Sequence, residues 1–167
     1  MSSNFQMFER ALIDGINRER RRIGKPVIPV SYNLQGIARM HAYDYCITKR
    51  MKGHLHSWSS WTYFDDHRNA HMMHNFPRLH SRYTGDGYEV AVTTSNSDAS
   101  PEELLAMLLN SPGHRDVILS QGIWRNDNWG AMGVGYMRFE PGTFPPGEMH
   151  VYMCAWFGVE RDTDVMT

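Results

Sequence analysis

From Phe5 to Ile23 apolar residues recur at helical spacing, at Phe5, Phe8, Leu12, Ile16 and Ile23. That stripe predicts an amphipathic helix. Ser3 followed by Gln6 reads as the capping box that starts it, and Gly24-Lys25-Pro26 as its stop. After a short extended link, Val27 to Val30, Asn33 can cap a second helix running to about Arg50, with Leu34, Ile37, Ala38, Ala42 and Tyr45 on its buried face. From Gly53 to Gly87 the periodicity dissolves into a long excursion with room for one helical piece. Tyr88 to Thr94 reads as a strand. Ser100-Pro101-Glu102-Glu103 is a strong helix start, with Leu104, Leu105, Leu108 and Leu109 as the core face. Ser111-Pro112-Gly113 should break that helix, leaving one further turn over Asp116 to Leu119. Two runs close the chain, Gly130 to Phe139 and Glu148 to Phe157, and read as an antiparallel pair joined by a wide loop. Both faces of the second run are apolar, so it should lie centrally and be covered on both sides. Helices first and strands last predict an α+β fold, a three-layer α-β-α sandwich around a central antiparallel sheet, in a single domain spanning 1–167.

Charge narrows the partners. Seventeen basic side chains nearly cancel eighteen acidic ones, for a net charge of -1, which gives no nucleic-acid footprint. The one basic run, Arg18 to Lys25, sits at a helix end, where the dipole and solvent account for it. No stretch approaches the roughly 20 apolar residues of a membrane-spanning helix. The N-terminus lacks the basic and apolar regions of a signal peptide, which points to an intracellular or assembly-associated place. Cys46 and Cys154 form no metal-spaced pair; two buried free thiols fit better than one disulfide.

Nine histidines are the unusual count, and six of them fall between His54 and His80. On a helix, His67 and His71, and His71 and His74, would share a face and offer a Zn²⁺, Ni²⁺ or Cu²⁺ site. The alternative is a set of surface histidines. No Glu stands where a metalloprotease helix needs one, and there is no phosphate loop or nucleophile elbow.

The order of motifs resembles the CAP superfamily, also called the SCP or PR-1 family. Ile16-Asn17-Arg18-Glu19-Arg20-Arg21 with Gly24 is similar to its first helix. Asn33-Leu34, Ala38 and His41-Ala42 are similar to its second. Asn110-Ser-Pro-Gly-His-Arg115 with Ile118-Leu119 matches the bacterial-type motif closely, and Gly130–Gly135 and Tyr152–Gly158 resemble its closing strands. The resemblance implies a central cleft holding His56, Glu89 and His114, with His54 a close second to His56. It also implies a second acid, but Asn110 and Ser111 stand at that place. Two imidazoles and one carboxylate suit Zn²⁺ or another divalent cation, held weakly in an open site. By the same resemblance the chain is a secreted, extracellular binding or scaffold module whose partner is a protein, a lipid or a glycan. The rivals are a metal-dependent hydrolase using the same cleft and a structural component of a larger assembly.

Overall fold

In the computed structural model residues 4–142 and 149–164 are described. The first helix, α1 (Asn4–Arg22), buries Leu12, Ile13 and Ile16 as its periodicity requires. Phe5 and Ile23, expected on the same stripe, sit at its two ends and are 38% and 37% exposed. The cap expected at Ser3 falls outside the described residues. Gly24 supplies the stop, with a φ of 77° that a side chain would resist. Arg20 corrects the reading of the basic run as solvated. It is fully buried and ties α1 to the far side of the molecule, donating from Nη1 to the Ile118 carbonyl at 2.8 Å and from Nε to the Pro26 carbonyl at 2.9 Å.

The second helix, α2 (Tyr32–Tyr43), is capped by Ser31 rather than Asn33. Ser31 is extended, and its hydroxyl accepts the Leu34 N–H at 2.9 Å. Asn33 instead binds Asp162 through both its backbone and its side chain, at 3.0 and 2.9 Å, and so ties the start of α2 to the end of the chain. A π-helical turn, Asp44–Thr48, follows, so the α-helix ends earlier than Arg50. The excursion contains one helix, α3 (Ala70–His80).

The strand β1 (Tyr88–Thr94) stands where its β-favouring residues placed it. Helix α4 (Pro101–Leu109) has the full capping box between Ser100 and Glu103. Ser111-Pro112-Gly113 is less a break than a restart: Ser111 caps α5 (Pro112–Leu119), with Pro112 in the first turn, where its missing N–H costs nothing. The final strands are β2 (Ala131–Arg138) and β3 (Val151–Gly158). All three strands are antiparallel in the order β1-β3-β2, so β3 is central and every one of its residues is buried.

The sheet separates two cores. Val151, Met153, Ala155 and Phe157 face α1, α4 and α5. Tyr152, Cys154 and Trp156 face α2, α3 and the excursion. This is the α-β-α sandwich. On β2, Gly133 and Gly135 let α2 lie directly on the sheet, because a β-carbon at either would run into the backbone of Leu34 or Ala38. Gln35 locks the register of that contact, accepting the Val134 N–H at 2.9 Å and donating to its carbonyl at 2.5 Å. Among the described residues no helix is long and apolar enough to cross a membrane.

Candidate functional site

Glu89 is the second residue of β1, level with Trp156 of β3, and points toward the α2 layer. Its side chain is fully buried. A lone buried carboxylate is costly; this one is bonded at both oxygens. Oε2 meets His41 Nδ1, and Oε1 meets His56 Nδ1 at 2.5 Å. Burial alone would push the Glu89 carboxyl up. The charge and hydrogen bond of His41, and then those of His56, outweigh burial and hold it below the ordinary carboxylate range.

His41 arrives from α2, whose position on β2 is fixed by the glycine contacts. Its Nε2 faces the Ser57 carbonyl at 3.2 Å. Both ring nitrogens therefore face acceptors, and the doubly protonated ring satisfies both while neutralising the carboxylate. Trp58 stacks on this ring at 4.3 Å and 11°, and Phe76 stacks on Trp58 at 3.9 Å.

His56 is held by the backbone on either side of it. The Leu55 carbonyl accepts from Tyr152 Oη at 3.3 Å, and the Ser57 carbonyl meets His41. The His56 side chain is 13% exposed. With Nδ1 held by the carboxylate, Nε2 is the ring nitrogen left for a ligand or a proton. His114 is the third residue of α5 and half-buried. Burial, and then the neighbouring His56, lower its pKa against the opposing pull of Glu89, so its ring is neutral near pH 7.

No family model and no curated protein matches the chain. Solved structures do. An outer surface protein from Borrelia burgdorferi is similar with a TM-score of 0.62 at 10% identity, over 96% of this chain and 98% of that one. An extracellular protein containing a SCP domain from Bacillus anthracis gives a TM-score of 0.61 at 18% identity over 93% of this chain. A cysteine-rich secretory protein from Staphylococcus aureus gives 0.56 at 16% identity over 96% of it. The chain has the SCP fold. It spans 41% of the length of the Bacillus and Staphylococcus proteins.

The SCP fold brings together part of what the sequence suggested. His56 and Glu89 touch, and His114 stands within reach of their charges. The three do not converge as one ligand set: among the described residues the sole trio of donor atoms within 4.8 Å is His41, Glu89 and Cys154. Glu89 is already taken at both oxygens, which makes it an orienting group. The His41 trio does not suit a metal either. It is wholly buried, and its thiol donates to the Ala38 carbonyl at 3.4 Å. Burial, with Glu89 adding to it, pushes the Cys154 pKa well up, so the sulfur stays protonated. Cys46 and Cys154 are both free and buried, as expected.

His54 is turned aside. Its Nδ1 accepts the His56 N–H at 3.1 Å, and its Nε2 lies 3.3 Å from Asp65. Metal at Nε2 would leave the ring with no proton to give, so His54 as placed is a poor ligand. Asn110 closes α4 and Ser111 caps α5 through backbone bonds, and neither replaces the missing second acid. The His67, His71 and His74 set is divided. His67 precedes α3 and its Nδ1 meets Tyr63 Oη at 2.9 Å, while His74 packs on Tyr88 with His71 nearby. Sequence reasoning missed His41 as a site residue, although its place on the buried face of α2 was the available signal: a histidine among Leu34, Ile37, Ala38 and Ala42.

Proposed function

We propose that this chain is a single SCP domain, residues 1–167, acting as a binding and scaffold module whose cleft offers His56 Nε2 and His114 to a divalent cation. The observation that carries the reading is the buried Glu89 carboxylate held between two imidazoles. It fixes the His56 ring, makes Nε2 the lone-pair nitrogen and raises its basicity. Two neutral imidazoles with open positions around them match Zn²⁺ best. Two protein ligands are fewer than the three of a catalytic zinc and the four of a structural one, so binding is weak and exchangeable. When bound, the ion supplies a Lewis-acidic centre with vacant positions for an oxygen or nitrogen of a partner. The chain's own contribution is the fixed ring and the neutral state of His114. The similar proteins are described as outer-surface, secretory or extracellular, which supports an extracellular place for this chain. The partner class is a protein, lipid or glycan.

Calorimetric titration with ZnCl₂ tests the reading. Wild type should bind one ion weakly, and His56→Ala and His114→Ala should each abolish the heat. Binding that survives in both variants would place the ion elsewhere and overturn the proposal.

A further inference from the structure

The outward face of α2 is unlike an ordinary solvent-facing helix. Tyr32, Gly36, Met40 and Tyr43 share one stripe at helical spacing. Tyr32 is 61% exposed, Met40 47% and Tyr43 59%. Gly36 is a notch in the stripe, since a β-carbon built there meets nothing within 4 Å. At one end the stripe runs into a groove of about 300 Å³ whose lining includes Phe5, Tyr43, Tyr136 and Met137. The exposed charge on this face belongs to Arg39, and Glu9 of the same chain neutralises it at 2.6 Å.

We propose that this face is a two-fold self-association surface, with a second copy of the chain as its occupant. The pattern is complementary to itself. Crossing two α2 helices antiparallel about an axis near Ala38 sets Met40 of each copy against the Gly36 notch of the other. The same register brings Tyr32 of each copy within one residue, about 1.5 Å of axial rise, of Tyr43 of the other, with the groove beside Tyr43 to receive the ring. A two-fold interface needs this reciprocity, in which residue i meets j and j meets i. Charge does not oppose it, because each copy brings a neutral Arg39–Glu9 pair rather than a bare cation.

Area sets the strength. Taking ~200 Å² for each whole side chain, Tyr32, Tyr43, Met40 and Phe5 leave roughly 400 Å² open in each copy. That matches the largest apolar patch of a typical monomer, the kind of patch that is often functional. It is about half the roughly 800 Å² per partner of a standard interface, and the groove walls add the remainder only in part. The geometry therefore points to a weak, concentration-dependent dimer. The α2 face that carries His41 is the opposite one, so this inference does not rest on the cleft.

Sedimentation velocity on the whole chain, from about 1 μM to about 1 mM, reads the association directly. Wild type should show a reversible monomer–dimer equilibrium within that range. Gly36→Glu fills open space with a better helix former, so it should leave the circular dichroism spectrum unchanged while raising the dimer Kd at least about tenfold. Tyr43→Arg is a second variant at an exposed site with the same expected loss. Mixing the Gly36→Glu protein with the Met40→Lys protein should restore association that neither shows alone, since the two-fold register sets the new charges against each other. A wild type that stays monomeric throughout, or a dimer whose Kd is unmoved by Gly36→Glu, overturns the proposal.

Discussion

Replacing Glu89 by glutamine keeps the shape of the side chain and removes its charge. The amide oxygen can accept from one of the two rings. The amide NH₂ must then face the other, and both His41 Nδ1 and His56 Nδ1 are donors toward this position. A neutral His41, donating from Nε2 to the Ser57 carbonyl and accepting the amide N–H at Nδ1, would satisfy both contacts, whereas a cationic His41 is left facing an amide donor. His41 also loses the carboxylate that neutralises it, while both side chains remain at 0% exposure. Breaking one side of a buried charged pair costs about 3–5 kcal/mol, a large share of the roughly 5–15 kcal/mol that holds a domain folded. At about 2–4 °C per kcal/mol for a chain of this size, the midpoint should fall by roughly 6–20 °C. Thermal and urea unfolding at pH 7, followed by circular dichroism, measure it. His56→Ala is the internal control. Its ring is 13% exposed and water can replace its bond to Glu89, so the loss should be nearer the ~1.5–3 kcal/mol of one charged hydrogen bond. If Glu89→Gln melted within about 2 °C of wild type, or cost no more than His56→Ala, the pairing of the buried carboxylate with a cationic His41 would be wrong.

Stability should fall in two steps on acidification in the presence of a chelator. Burial lowers the pKa values of His54, His74 and His114, so the unfolded chain takes up protons first, and stability drops as pH falls below 6.5; His114→Ala should remove its share and make that limb shallower. The Glu89 pKa is held down in the fold, so its contribution is present above 4.5 and is lost as pH falls through its folded value, giving a second limb. Gly135→Ala forces a β-carbon into the Ala38 backbone and should unseat α2, exposing the site and lowering the midpoint, whereas Gly36→Ala meets open space and should raise it. Cys46 and Cys154 should resist a thiol reagent in the native state and both react in guanidinium, whereas reaction of either one in the fold would contradict their burial.

The elements were largely legible because their signals are local. Ser100 and Glu103 announce the start of α4 through bonds made within one turn, and the β-favouring run of β1 is read without a distant partner. Signals failed where a residue's partner lay far along the chain. Asn33 looks like a helix cap in sequence, but Asp162 claims it across 129 positions and leaves the cap to Ser31. Arg20 looks like part of a solvated basic run until Ile118 supplies an acceptor 98 residues away. The site fails in the same manner. The His54 and His56 rings are nearly equivalent by position, and the choice between them is made by Glu89, which takes His56, and by Asp65, which draws His54 outward. His41 was the harder case. In sequence it is one polar residue on an apolar helix face, a pattern that most often marks a bonded core histidine. Here it is that as well, and the bond is to the carboxylate on which the cleft is built. A buried acid that must be neutralised selects its own counter-charge from the nearest packed layer, so the Gly133 and Gly135 contacts that press α2 onto β2 determine which histidine becomes part of the site.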